Sequence, residues 1–323
     1  MPPRTLFLGT GDIAVPSLAF LLDCPLVNVI GLVCQPDKPV GRKQILTPPA
    51  TKVLAVERDI PVFQPDRLRQ HIDVVAGLKP ELIMVMAYGQ IIPQAVLDLP
   101  PLGCWNLHAS LLPKHRGAAP VQAAILAGDA ESGITVMAVE AGLDSGPMLR
   151  HELIPLGPDE TGETLHDRLA ALAPVALSAA LPAILSGRPE VTPQDAAAAT
   201  HVGKLDRSHG VIDWTQPADA LERRIRAFHP WPGTSSTLAD GTVVKIFPPV
   251  RTLPESTGCA LPGTLVSAGP DELAVATGQG ALAIARLQLP GARRMSVRDH
   301  LAGHLRQVGE IWGTASAPGP PVG

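Results

Sequence analysis

Short apolar and β-branched runs alternate with segments of helical periodicity from residue 5 to about residue 140. The predicted strands are residues 5–8, 27–34, 81–86, 104–107 and 134–139. The predicted helices are residues 16–22, 48–58, 94–97 and 120–127, with a longer Ala- and Leu-rich helix at 164–185. Strands that alternate with helices are typical of a doubly wound sheet. We therefore predict an α/β fold with a Rossmann-like, mainly parallel sheet in a first domain of residues 1–189.

The pattern changes after this domain. Residues 190–208 are rich in Pro, Ala and Thr and have no apolar periodicity, as expected of a linker. One amphipathic helix at 218–228 then precedes short alternating strands at 243–247, 263–266, 273–276 and 281–287. Strands divided by Gly and Pro turns are typical of a small barrel. We predict a C-terminal OB-like β-barrel domain over residues 209–312 and a disordered tail over 313–323.

The composition favours a soluble, two-domain protein. A length of 323 residues exceeds a typical single domain, and 46% hydrophobic with 17% charged residues is an ordinary globular balance. No apolar run approaches the roughly 20 residues that span a bilayer. The first residues lead into a strand and do not resemble a secretory signal. We expect a cytoplasmic protein that does not contact a membrane.

Cysteine spacing and charge exclude two further classes of site. The four cysteines, at positions 24, 34, 104 and 259, contain no C-x-x-C pair, so we expect buried free thiols and neither a metal site nor disulfides. The net charge of −4 argues against general nucleic-acid binding. Any contact with RNA must therefore be confined to a local basic patch.

A glycine-rich turn follows the first predicted strand, where residues 9–14 read Gly-Thr-Gly-Asp-Ile-Ala. This spacing matches the G-x-G-x-x-A variant of the dinucleotide-binding fingerprint. The acidic residue expected at the end of the second strand is missing, because Gln35 and Pro36 stand there before Asp37. A plain tight turn is the favoured interpretation, and an NAD(P)-dependent dehydrogenase stays open as an alternative.

Three polar side chains are predicted to converge at the edge of the sheet where open α/β folds bind ligands. Asn106 and His108 are two residues apart on an inner strand and share a face. Asp144 lies in a Gly-rich loop after the next predicted strand, which we expect to end at the same edge. An amide and an imidazole can stabilise a tetrahedral oxyanion, and a carboxylate can orient the imidazole, so the three suit acyl transfer to an amine. No Ser or Cys nucleophile is evident, which favours direct transfer.

The stretch around these residues resembles a known family. Asn106-Leu107-His108-x-Ser110-Leu111-Leu112-Pro113, followed by Arg116-Gly117, is similar to the signature of the folate-dependent formyltransferases, and Asp144 occupies the place of their second motif. The resemblance implies that Asn106, His108 and Asp144 are catalytic and that the formyl donor is 10-formyltetrahydrofolate. It also implies contacts with the reduced folate for the four residues Ser110, Leu111, Leu112 and Pro113, and for Tyr88 and Gly89 in a pterin-side loop.

Four further stretches, residues 35–42, 116–122, 127–135 and 226–233, resemble the family members that formylate methionyl initiator tRNA. Sugar-amine formyltransferases share the catalytic residues and often a related C-terminal domain. The resemblance therefore implies formyl transfer to methionyl initiator tRNA by a monomeric enzyme. A formyltransferase for an amino sugar or another small amine is the alternative.

Two basic segments are the candidates for contact with tRNA. In the family, the loop after the second strand reaches the acceptor stem, which implies this role for Lys38, Arg42 and Lys43, with Lys52 as an addition. The predicted helix at 218–228 presents Arg223 and Arg224 as a second basic surface. A solvated basic loop with no partner, and a non-catalytic RNA-binding module, stay open as alternatives.

Overall fold

The computed structural model describes residues 1–41, 43–254 and 260–313, which form two compact units. The first unit contains Met1–Pro120, Glu131–Pro155 and His166–His201. The second contains Val121–Ala130, Leu156–Leu165 and the chain from Val202 onward. The predicted domain limits at 189 and 209 stay predictions, and the predicted disordered tail lies outside the described residues except for Gly313.

The first unit is built on a large sheet. The strands of this unit, inside and outside that sheet, are β1 (Arg4–Gly9), β2 (Asn28–Val33), β3 (Lys38–Val40), β4 (Ile45–Thr47), β5 (Val62–Phe63), β6 (Leu82–Met86), β7 (Cys104–His108), β8 (Arg116–Gly117), β9 (Glu131–Ala138) and β10 (Met148–Pro155). Its helices are α1 (Val15–Asp23), α2 (Ala50–Glu57), α3 (Ile72–Gly77) and α4 (Gln94–Leu97). Two more helices, α5 (Pro120–Ala127) and α6 (Gly162–Leu185), include residues of both units.

Seven strands form this sheet in the order β10-β9-β7-β6-β1-β2-β5. The five strands from β7 to β5 are parallel, which confirms the Rossmann-like, mainly parallel fold predicted from the sequence. β9 runs antiparallel to β7, and β10 antiparallel to β9. Every residue of β6 is buried because helices cover both faces of a parallel sheet.

The long helix α6 is an exception to the expectation that no apolar run is long enough to span a bilayer. Among the residues that the structure describes, it alone is long and apolar enough to cross a membrane by length and composition. Leu169, Ala173, Leu177 and Leu181 are fully or almost fully buried and recur every four residues. A buried stripe at this spacing is how an amphipathic core helix packs, and core helices pass the same composition test.

The remaining elements are β11 (His201–Val202), α7 (Ala218–Ala227), β12 (Thr234–Thr237), β13 (Val243–Leu253), β14 (Leu265–Ala268), β15 (Leu273–Ala276), β16 (Ala281–Gln288), β17 (Met295–Ser296) and α8 (Val297–Leu301). In the second unit the antiparallel strand order is β12-β13-β16-β15-β14, with β17 beside β16. The chain after α8 connects the two outer strands. Trp312 N–H donates to Gly263 O just before β14 (2.8 Å), and Gly313 N–H donates to Thr237 O at the end of β12 (2.7 Å). The domain that was predicted as a small barrel is thus an antiparallel sheet whose two outer strands both bind the chain after α8.

Candidate active site

Asn106 and His108 both lie on β7, which is held by parallel β6 on one side and antiparallel β9 on the other. Alternation along the strand therefore directs both side chains to one face of the sheet. His108 is buried and Asn106 is half-buried. Within the described ranges the Asn106 side chain has no hydrogen-bond partner, so its amide is free to donate to a ligand.

Both ring nitrogens of His108 face acceptors. His108 Nε2 lies 3.0 Å from the carbonyl oxygen of His115, and because a carbonyl only accepts, Nε2 carries a hydrogen. His108 Nδ1 lies 3.7 Å from Asp144 Oδ2. The imidazole is therefore oriented from two sides, by a backbone carbonyl and by a carboxylate.

Asp144 reaches His108 by a route that differs from the predicted one. Because β9 is antiparallel to β7, its last residue Ala138 pairs with Trp105 near the start of β7, so the strand ends at the opposite edge. The loop between β9 and β10 then carries Asp144 to His108. Gly117 N–H donates to Asp144 Oδ2 (2.8 Å), which sets the carboxylate beside the imidazole. Asp144 thus lies beside His108, and Asn106 shares the sheet face of His108, but the expectation of a common strand edge was wrong.

The loop after β7 is held by a residue that sequence reasoning missed. Thr135 on β9 is fully buried; its Oγ1 donates to Ser110 O (2.6 Å) and accepts from Leu112 N–H (3.1 Å). Ser110 is itself buried and donates from Oγ to Lys114 O (2.7 Å). Leu112 is buried as well, whereas Leu111 and Pro113 are half-buried. Of the four residues assigned to folate, Leu111 and Pro113 have the more accessible side chains.

The second segment assigned to folate follows β6. The Tyr88 side chain packs in the core, burial raises the pKa of its hydroxyl, and that hydroxyl has no partner in the described chain. Tyr88 O accepts from Thr10 Oγ1 (2.9 Å) and from Gln35 Nε2 (3.1 Å). Gly89 has a φ of +80°, and a Cβ there would lie 2.3 Å from Gln35 Nε2. Backbone groups and the bare Gly89 are thus what this segment offers to a ligand.

The glycine-rich turn has a packing explanation. A Cβ at Gly9 would lie 3.0 Å from Met86 O and closer still to the Phe7 ring, and one at Gly11 would press on Ala87. Glycine at these two positions therefore lets the tight turn after β1 lie against the end of β6.

The first basic segment is an exposed antiparallel hairpin formed by β3 and β4. Lys38 Nζ donates to Gln35 Oε1, and Lys43 is exposed in the turn. Arg42 lies outside the described residues. Lys52, the additional candidate for a phosphate contact, has its ammonium bound to Asp37 (2.8 Å) and Gln64 (2.8 Å) at the base of the hairpin, which makes it less available than Lys43.

The second basic segment, on α7, is bound largely to the protein itself. Arg223 pairs with Asp219 (3.2 Å) and donates to Leu126 O (3.2 Å). Arg224 donates to His209 O (3.2 Å), and its guanidinium carbon lies 5.3 Å from the centre of the Phe228 ring. Burial lowers the pKa of Arg224. Arg223 is therefore the more available of the two for phosphate.

The cysteines are only partly as expected. Cys34 and Cys104 are buried, and burial raises the pKa of Cys34 to about 11, whereas Cys24 is half-exposed. All three described thiols are free, and Cys259 lies outside the described residues. Within the described ranges no three His, Cys, Asp or Glu side chains are arranged to hold a metal ion.

Family models match both parts of the chain. Residues 4–181 match the model "Formyl transferase", and residues 204–305 match "Formyl transferase, C-terminal domain". Similar proteins include a "Methionyl-tRNA formyltransferase" of Pseudomonas putida strain GB-1, 52% identical over 299 residues and covering 92% of this chain and 94% of that protein. Another of the same name, from Pseudomonas syringae, is 49% identical over 92% of this chain and 94% of that protein.

Solved structures share the fold at lower identity. WlaRD, a sugar 3N-formyl transferase crystallised with dTDP and 5-N-formyl-THF, is 17% identical with a TM-score of 0.65, covering 91% of this chain and 100% of that chain. HypX from Aquifex aeolicus, crystallised with tetrahydrofolic acid, is 20% identical with a TM-score of 0.58. That match covers 95% of this chain and 48% of the HypX chain.

Proposed function

This chain belongs to the formyl transferase family, and from that membership we propose that it transfers the formyl group of 10-formyltetrahydrofolate to the amino group of methionyl initiator tRNA. The observation that carries the proposal is the cluster of Asn106, His108 and Asp144, in which a free amide lies on one sheet face with an imidazole oriented by a carboxylate. Relatives at about half identity over almost the full chain support the choice of acceptor.

The reaction needs a donor of hydrogen bonds where negative charge develops. When the amine attacks the formyl carbon, its carbonyl oxygen becomes an oxyanion, and the free Asn106 amide donates to it. Removing one such donor typically costs a factor of about 10²–10³ in rate. The His115 carbonyl holds the His108 ring in position, and when the substrate binds, the Nε2 hydrogen is shared with it, as catalytic hydrogen bonds often tighten only on binding.

A proton must also leave the attacking nitrogen. His108, held by Asp144 at 3.7 Å, moves this proton towards the departing folate nitrogen, directly or through water. The Asp144 carboxylate keeps the ring in place through its own bond from Gly117 N–H. No covalent enzyme intermediate is needed, because the formyl group passes from one nitrogen to the other.

The donor and the acceptor are assigned to different segments. Ser110, Leu111, Leu112 and Pro113, together with Tyr88 and Gly89, form the folate side, to which the Tyr88–Gly89 segment contributes backbone groups and the bare Gly89. Lys38, Arg42 and Lys43 contact the acceptor stem, and Arg223 and Arg224 contact tRNA from the second unit. We propose a monomer that acts in the cytoplasm without a metal.

The test is transfer of labelled formyl from 10-formyltetrahydrofolate to methionine-charged initiator tRNA by the wild type and by Asn106→Ala, His108→Ala and Asp144→Ala. We expect wild-type transfer, and a loss of about 10²–10⁴ in kcat for His108→Ala with KM for both substrates nearly unchanged. Thr161→Ala, at a partly exposed site in the second unit, serves as the control and should retain wild-type kcat.

Two results would contradict the proposal in different ways. A wild type that binds the folate but leaves tRNA unformylated would redirect the search to an amino sugar or another small-amine acceptor. A His108→Ala variant with wild-type kcat would remove His108 from the mechanism.

A further inference from the structure

Residues 192–200 lie in the segment whose composition predicted a linker, yet they hydrogen bond to the loop that carries Asp144 and to the loop that follows β7. We call residues 192–200 the strap. It begins at Thr192, which forms an antiparallel bridge with Met148 at the start of β10 through two backbone bonds of 2.8 Å each. The strap therefore starts from the sheet that carries the site.

Gln194 binds the loop that contains Asp144. Its Nε2 donates to the carbonyl oxygens of Asp144 (2.8 Å) and Gly146 (2.7 Å). Its Oε1 accepts from the buried Arg116, from Nε at 3.0 Å and from Nη2 at 2.8 Å. Both ends of the amide are thus occupied, and because a guanidinium can only donate, the orientation of the amide is determined.

Thr200 binds the loop that follows His108. Its Oγ1 accepts from His115 N–H (2.8 Å), and its backbone carbonyl accepts from Arg116 N–H (2.9 Å). The carbonyl of His115 in turn accepts from His108 Nε2. One end of the strap therefore holds the Asp144 loop, and the other holds the residue that orients the His108 ring.

The two residues that the strap holds have unfavourable backbone conformations. Asp144 has a φ of +48° and His115 a φ of +58°, both in the left-handed region that side-chain-bearing residues avoid. Such conformations persist only where surrounding contacts hold them. The strap binds the carbonyl of Asp144 and the amide of His115, which are backbone groups of these same two residues.

We propose that the strap is part of the catalytic centre, with Gln194 as a positioning residue for Asp144 and Thr200 as a positioning residue for His108. This inference rests on the proposed function, because it concerns the same site. Neither residue touches the reacting atoms. Gln194 holds the backbone from which the Asp144 side chain projects, and Thr200 holds the backbone of His115, whose carbonyl accepts from His108 Nε2. Small displacements of catalytic groups cost large factors in rate, so the effect belongs in kcat.

The variant that isolates the role of Gln194 is Gln194→Glu. A carboxylate still accepts from Arg116 but cannot donate to the carbonyls of Asp144 and Gly146. We expect kcat for formyl transfer to fall about 10–100-fold, with KM for folate and for tRNA changed less than about threefold. Gln288→Glu is the matched control, because Gln288 Nε2 also donates to a backbone carbonyl, that of Ala292 in the second unit, and kcat should stay at the wild-type value.

Combination with Asp144→Ala distinguishes positioning from a general structural effect. If Gln194 acts through Asp144, then Gln194→Glu should lower kcat no further in the Asp144→Ala background. Thr200→Val should likewise have no added effect in the His108→Ala background. The inference would be overturned if Gln194→Glu lowered kcat by the same factor in the wild type and in the Asp144→Ala variant. It would also be overturned if Gln194→Glu alone left kcat unchanged.

Hydrogen exchange requires no formyl acceptor, so it tests the role of the strap independently of the proposed function. The Gly117 amide donates to Asp144 Oδ2, so its hydrogen exchange should accelerate at least about tenfold in Gln194→Glu while amides of β6 keep their protection. If this acceleration is observed but the wild type does not formylate tRNA, the positioning role of the strap is supported and tRNA is excluded as the acceptor. Unchanged exchange at Gly117, or acceleration throughout the sheet, would overturn the strap.

Discussion

Gly133 on β9 is a position where the backbone of the site leaves no room for a side chain. A Cβ there would lie 2.0 Å from Glu152 O on β10 and 2.7 Å from Leu111 Cδ2 in the loop after β7. Gly in a strand commonly marks such a close approach. Gly133 thus lets the loop with the assigned folate residues lie directly on the antiparallel pair.

We predict that Gly133→Ala lowers the free energy of unfolding by about 1–3 kcal/mol, because backbone atoms cannot move aside as a flexible side chain can. Urea unfolding measures the change. Gly77→Ala is the control: it adds a methyl group at the end of α3 where no atom lies within 4 Å, and should stabilise by about 0.4–1 kcal/mol. Equal stability of the Gly133→Ala variant and the wild type would show that the sheet adapts.

At the scale of elements, α8 and the chain after it hold a buried polar cluster in the second unit. His300 is 1% exposed and stacks on His304 with ring centres 4.9 Å apart. Arg306 Nε donates to His300 Nε2 (3.2 Å), so the ring hydrogen lies on Nδ1, which has no partner within the described residues. Burial, with the nearby charges of Arg306 and His304, lowers the pKa of His300 to about 4, and Glu310 opposes the shift.

This shift predicts acid sensitivity of the second unit. Between pH 6.5 and about 4 the unfolded chain binds a proton at His300 that the folded chain does not, so stability falls as the pH falls through this window. The shift corresponds to roughly 3 kcal/mol, at about 1.4 kcal/mol per pKa unit. Thermal unfolding of the wild type and of His300→Gln should show a difference that narrows from neutral pH to pH 4. A constant difference would mean that His300 does not titrate in this way.

At the scale of the whole molecule, the distribution of charge matters more than its total. The net charge is −4, and several basic groups assigned to RNA, among them Lys52 and Arg224, are bound within the protein. The hairpin of β3 and β4 instead carries Lys38 on a wholly exposed strand and Lys43 at an exposed position after Gly41. Binding of tRNA should therefore depend strongly on this one projection.

We predict that Lys38→Ala with Lys43→Ala raises KM for tRNA and reduces the slope of log KM against log salt by about one for each phosphate that the variant no longer binds. KM for 10-formyltetrahydrofolate should not change. Arg251→Ala with Arg298→Ala removes the same charge from exposed sites that pair with Glu272 and Asp271, and serves as the control. If both double variants weaken tRNA binding equally, the hairpin has no special part.

The sequence by itself determined the position of several elements, and it singled out Asn106, His108 and Asp144 as the candidate catalytic cluster. The strands β1, β6, β7 and β15 lie within one residue or so of their predicted bounds, because each is a short apolar run whose burial follows from local periodicity. Asn106 and His108 share a face for a local reason too, since the period of a strand is two residues. Residues 106–113, which include the four residues assigned to folate in the loop after β7, were recognised because they form one uninterrupted motif.

Only the tertiary structure decided how distant segments meet. The antiparallel course of β9 and β10, the return of Asp144 to His108, and the bonds of Gln194 and Thr200 all join residues that lie far apart in the chain. The same holds for the bonds of Lys52 to Asp37 and of Arg224 to the His209 carbonyl, because both side chains looked like free charges in the sequence. Such contacts depend on which strands become neighbours, and that is set by burial of the whole core, so local periodicity carries no record of them.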